Sequence, residues 1–192
     1  MEKVALLKCT DYNVDRIEKK LREGFELLGG ISYLRELIPE NSKVLLKPNF
    51  LSVMEKGSPV ITHYAMFEAI VRIVKEYSNN IVFGDSPGSG DTKMAAEKSG
   101  LMEVANRYDV KFVDFNDEIH VQLKDPLLYK FWNVARAAYE ADVIITLPKL
   151  KTHAMMYYTG AVKNQFGCVP GSQKGGLHTK LTDVNNFSKM LL

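Results

Sequence analysis

Two cysteines in 192 residues are too few for a disulfide framework, and too few to hold a four-cysteine iron–sulfur cluster. Long apolar runs are also missing. The stretch 143–147 is far short of the roughly 20 residues that a membrane-spanning helix needs. At the N-terminus, residues 4–7 are too brief for the apolar region of a secretion signal. Neither sign of charge dominates: 25 Lys and Arg against 23 Asp and Glu leave +2, which argues against a general nucleic-acid or polyanion binder. Gly (13) and Pro (7) are too sparse for a collagen-like or low-complexity chain. No H-E-x-x-H, C-x-x-C or EF-hand spacing signals a metal site, and no G-x-S-x-G elbow signals a serine nucleophile. These absences set the expectation of a soluble cytoplasmic protein in a reducing compartment, with no membrane and no nucleic acid among its partners.

What is present is enough for one domain, expected to occupy residues 1–192. A chain of this length can bury roughly 70% of its unfolded surface without staples. The apolar run in residues 3–9 reads as a strand buried on both faces. Ile17, Leu21, Phe25 and Leu28 form a helical stripe closed by Gly29-Gly30, and a shorter helix is expected before Pro39. Residues 43–47 read as a second strand. Thr62 reads as the N-cap of a helix whose buried face holds Met66, Phe67, Ile70, Ile73, Val74 and Tyr77. Strands are expected at 80–84, 110–115 and 142–147. A hairpin-like insertion is expected at 119–123 with 128–132. Short helices are expected after Asp91 and over 134–141, and a last helical pattern over 181–192. Strands alternating with helices predict an α/β fold, a mainly parallel sheet with helices on both faces, whose ligands sit beyond the carboxyl ends of the strands.

Three strands exit into polar loops: Lys47-Pro48-Asn49, then Gly84 to Gly90, then Pro148 to His153. Parallel strands would bring all three to one rim. The Gly84–Gly90 loop matches neither a P-loop nor a dinucleotide fingerprint, and it reads either as an anion-accepting loop or as an ordinary strand-to-helix turn. From Val143 to Thr182 there are five lysines, two histidines and no acid, so the mild net charge hides a basic segment on an acidic remainder. Lysines among Gly, Thr and Asn suit a phosphate or carboxylate. The candidate catalytic residues are Asp85, Lys151 and His153. Candidate ligand-binding residues are Lys47, Asn49, Ser86, Gly88, Lys149, Thr159, Gly160, Lys163, Asn164 and Gly171. His178 has no partner by spacing and reads as structural.

The ordered motifs Lys47-Pro48-Asn49, Gly84-Asp85-Ser86-Pro87-Gly88, Leu147 to His153 and Thr159 to Asn164, continued by Phe166-Gly167 and Val169-Pro170-Gly171, resemble the domain of unknown function 362 family. The resemblance implies a sheet domain that extends further than Leu192, so the chain is expected to be the N-terminal part of a larger protein. It also implies a frequent association with a ferredoxin-like iron–sulfur module. No cofactor is expected within this chain, and a cluster is expected only in such a C-terminal module. Two functions therefore stand side by side: a site for a small anionic molecule, with proton transfer by Asp85 or His153, and a scaffold in an iron–sulfur redox protein. Nucleic-acid binding through Tyr157, Tyr158 and the lysines is a third and weaker reading. The oligomeric state is left open.

Overall fold

The computed structural model describes residues 3–171 and 173–192. The first half runs α1 (Val14–Leu28), α2 (Gly30–Leu37), β1 (Val44–Lys47), α3 (Tyr64–Val74), β2 (Ile81–Phe83), α4 (Thr92–Lys98), α5 (Leu101–Arg107) and β3 (Lys111–Phe112). Then follow β4 (Glu118–Gln122), β5 (Phe131–Ala135), α6 (Arg136–Tyr139), β6 (Val143–Thr146), β7 (Lys151–His153) and β8 (Tyr157–Thr159). The chain continues through α7 (Ala161–Asn164), a 3-10 turn (Gln165–Cys168), α8 (Gln173–Lys180) and α9 (Val184–Leu191). Four strands make a parallel sheet in the order β3-β2-β1-β6, as expected of an α/β chain. Two antiparallel hairpins, β4–β5 and β7–β8, stand apart from it.

The central strand β1 is apolar at three consecutive positions because it is covered on both faces. Successive side chains point to opposite sides of a strand. Val44 and Leu46 join the layer that holds Phe67, Ile70 and Val71 of α3 and Leu101, Val104 and Ala105 of α5. Leu45 faces the other way, with Val82, Phe115 and Ala135, under the alanines of α6. Burying each such Val or Leu fully contributes roughly 1.5–3 kcal/mol. The fourth residue, Lys47, is as inaccessible as the three before it, and the polar chemistry starts there.

Helix α1 packs on the outside of α3, and the two are joined by charge. Glu68 is buried, and its carboxylate accepts from Arg72 at 2.9 Å, Arg107 at 3.0 Å and the Tyr108 hydroxyl at 2.9 Å. Burial alone would raise this carboxyl, but the Tyr108 hydroxyl and the two guanidiniums outweigh it and hold it below the usual range. Arg72 also reaches Asp15 and Glu18 on α1. Glu68→Ala is expected to cost about 1–3 kcal/mol in urea titration. Both arginines can rehydrate, which keeps the loss below that of a sealed ion pair. A loss under about 0.5 kcal/mol would mean the network adds nothing that water does not.

Several expectations need correction. Residues 3–9 form no strand: Val4 and Leu6 are 90% and 95% exposed. The segment is extended but lies along α1, where Leu7 closes on Gly24, so only alternate side chains find cover. Thr62 does not cap α3. His63 does, its ring nitrogen accepting from the Ala65 amide. The strand expected at 142–147 is present as β6, but it is a sheet edge with Ile144 38% exposed. The strand expected over 110–115 pairs only at Lys111 and Phe112. The hairpin over β4 and β5 is present, with its second strand shifted to Phe131–Ala135.

Candidate functional site

Because β1, β2 and β6 are parallel and in register, their loops leave the sheet by one edge. Thr62 ties two of them together. Its hydroxyl accepts from the Asn49 amide at 2.8 Å and donates to the Leu147 carbonyl at 2.5 Å. The Gly88 amide donates to the Leu51 carbonyl at 2.7 Å, which fastens the third loop. A cavity of about 430 Å³ opens above this junction, roofed by the β7–β8 hairpin and α8.

Its floor is an ion pair. The Lys47 ammonium donates to Asp85 Oδ1 at 2.6 Å, and the Phe50 amide donates to Oδ2 at 2.9 Å. Both side chains are sealed from solvent, 0% and 3% exposed. Gly167 lies directly on the pair: a Cβ there would stand 2.0 Å from Asp85 Oδ1 and 2.7 Å from Lys47 Nζ. Asp85 therefore reaches the cavity with both oxygens engaged. It positions Lys47 and the Phe50 turn.

Asn164 links the floor to the edge strand. Its Nδ2 donates to Thr146 Oγ1 at 2.8 Å and lies 3.3 Å from the carbonyls of Lys47 and Pro48. Carbonyls can only accept, so the orientation of this amide is set by its neighbours. Asn164 lines the cavity, and its buried Oδ1 has no hydrogen-bond partner among the described residues.

Three lysines line the same space. Lys151 donates to Asn49 Oδ1 and to the Val60 carbonyl, each at 2.7 Å. Lys174 donates to Ser86 Oγ, and to the Val169 carbonyl at 2.9 Å. An ammonium has three donors, so each keeps one for a guest. Burial, assisted by the neighbouring Lys163, pushes Lys151 down to about 8. Burial does the same to Lys174, also to about 8. Lys163 is lowered by burial and lies over the rings of Phe166 and Phe187.

Two histidines complete the wall, stacked with ring centroids 6.0 Å apart. His153 Nδ1 accepts from the amides of Met155 and Met156 at 3.2 and 3.1 Å. The ring is thus neutral with its proton on Nε2, consistent with a pKa lowered by burial and by Lys163, His178 and Lys151. His178 Nδ1 lies 2.7 Å from the Lys174 carbonyl, which only accepts, so Nδ1 carries a proton, the opposite arrangement to His153.

Nine of the thirteen candidates from the sequence line this cavity: Asn49, Asp85, Ser86, Gly88, Lys151, His153, Thr159, Lys163 and Asn164. Four do not. Lys47 is sealed beneath the floor. Lys149 turns outward, donating to the exposed Tyr12 hydroxyl at 2.7 Å. Gly160 borders a neighbouring apolar cavity of about 520 Å³ with Met156, Val162 and Leu191. Gly171 is exposed, and its amide donates to Ser86 Oγ at 3.3 Å. Lys174 and His178 are the residues sequence reasoning missed. They stand four apart on one face of α8, a spacing hidden by Gly175-Gly176, which argues against a helix. Among the described residues, no three His, Cys, Asp or Glu side chains gather as a metal-holding group.

A protein family described as a domain of unknown function (DUF362) matches residues 44–192. The thylakoid-associated protein sll1697 of Synechocystis sp. (strain ATCC 27184 / PCC 6803 / Kazusa) is 33% identical over 193 aligned residues. The alignment takes in 100% of this chain and 59% of that relative, so the chain spans 59% of the relative's length. No solved structure matches the chain. Among the described residues, no helix is long and apolar enough to cross a membrane.

Proposed function

The chain belongs to the DUF362 family, and from that premise we propose that it is a cytoplasmic protein that binds a small molecule bearing a phosphate or carboxylate group. One observation carries the reading. Lys151, Lys163 and Lys174 line a single cavity in which, among the described residues, the one carboxylate, Asp85, already accepts from Lys47 and Phe50. Cations brought together and partly dehydrated without a free counter-charge are short of an anion. Burial lowers Lys151 and Lys174 against the opposing pull of Asp85, and a buried ammonium gains more from a bound anion than a solvated one would. If the ligand is also transformed, the lysines would stabilise a developing oxyanion and the paired histidines would move the proton.

Calorimetric titration of the chain with inorganic phosphate at pH 7 tests this. Binding is expected, and Lys151→Met and Lys174→Met are each expected to weaken it by about tenfold or more, as for a charge-assisted hydrogen bond. Each variant removes a costly buried charge but also leaves two acceptors without their donor, so the two effects on thermal stability oppose each other. Absence of binding, or affinities unchanged in both variants, would overturn the proposal.

A further inference from the structure

Lysines alone would accept any anion. Two other groups in the wall ask for something different. Asn164 Oδ1 is a buried acceptor with no partner among the described residues, and its amide cannot be turned, because Nδ2 serves two carbonyls and a hydroxyl. In the neutral imidazole, His178 Nε2 is a second acceptor, because the Lys174 carbonyl takes the ring proton on Nδ1. Both residues line the cavity that holds the three ammoniums. A guest that is only an acceptor, such as sulfate or acetate, would satisfy the lysines and leave the buried Asn164 Oδ1 unmet. An unmet buried acceptor is costly, and a site built around one rejects a ligand that lacks the matching donor.

The geometry points to a ligand that carries its own hydroxyl beside the anionic group, a hydroxy acid or a protonated phosphate. The donor is a neutral O–H and not an ammonium, since an ammonium would be repelled by Lys151, Lys163 and Lys174 in the same space. His153 supports the choice from the other side. Its proton is on Nε2, so the histidine pair presents one donor and one acceptor to a group that both accepts and donates. A hydroxyl is such a group. This inference rests on the anion-site reading above and narrows it to a chemical class.

Two matched pairs of probes test it by calorimetry at pH 7 and constant ionic strength: glycolate against acetate, and phosphate against sulfate. Acetate and glycolate carry the same charge and differ in the hydroxyl. Sulfate carries the full double negative charge and no proton, whereas phosphate keeps at least one O–H, so a preference for phosphate would run against simple charge attraction. Glycolate and phosphate are each expected to bind about tenfold or more tightly than their partners. His178→Phe keeps a ring between Phe166 and Phe187 and removes Nε2. It is expected to shrink both ratios several-fold while binding persists. If all four anions bind equally, the hydroxyl requirement is overturned and the anion site stands; if His178→Phe leaves the ratios unchanged, the assignment of His178 Nε2 as an acceptor is overturned. If none of the four binds, the anion site itself falls.

Discussion

Asp85→Ala is expected to lower the unfolding free energy by about 3–5 kcal/mol, the cost of leaving one member of a sealed ion pair without its partner. For a chain of this size that is a fall of roughly 6–20 °C in melting temperature. The size of the effect follows from where Lys47 sits. It ends the central strand, is inaccessible to solvent, and its ammonium is 2.6 Å from Asp85 Oδ1. Removing the carboxylate also frees the Phe50 amide, which donates to the other oxygen. The companion experiment is the double variant Lys47→Met with Asp85→Ala. Apolar replacement of both members of a buried pair is often neutral, so the double variant is expected to recover most of the loss. A single variant as stable as the wild type would show that the pair adds nothing to stability, and it would then be a poor foundation for the site.

The second large effect is on ligand affinity as pH rises. Lys151 and Lys174 are lowered to about 8 in the folded chain, against an ordinary 10.5. An anion favours their charged forms, so above pH 8 binding must take up protons. Affinity for sulfate or hydrogen phosphate, whose own charges are constant in this range, is expected to fall roughly ten- to a hundredfold between pH 8 and 9.5. Stability of the ligand-free chain should move the other way. Between about pH 8 and 10.5 the unfolded chain binds more protons than the folded one, so unfolding free energy rises with pH across that window, and below it the cost of two buried ammoniums is carried in full. Lys163 and His153 face the same cavity and are lowered in the same direction. An affinity flat from pH 7 to 9.5 would show that neither ammonium touches the ligand.

The parallel sheet was legible because its strands are short apolar runs ended by Lys47-Pro48 or Gly84, and because α1 and α3 carry clear stripes. Residues 3–9 misled for the same reason. An apolar run shows that a segment wants cover, not whether a strand or a helix supplies it. The three-loop rim followed from parallel pairing alone. Which lysine of the rim faces inward did not. Lys149 and Lys151 are two apart, a spacing that puts side chains together only within one strand, and β7 begins at Lys151. The region after β6 read as irregular because its elements are the short strands β7 and β8, the single turn α7, and a helix with two glycines. Long-range bonds, not local period, hold them in place.

Those bonds also set the order in which the molecule can be assembled. The Asn164–Lys47 contact spans 117 residues, and the Lys47–Asp85 pair spans 38. During synthesis Lys47 and Asp85 are both available well before Asn164 and α8 leave the ribosome, so the floor can close before its roof exists. A parallel sheet gains nothing from hairpins, and each crossover must be closed before its contacts reward it. The recognition wall is thus expected to form last. In a refolding experiment, burial of β1 should precede the arrival of the anion site.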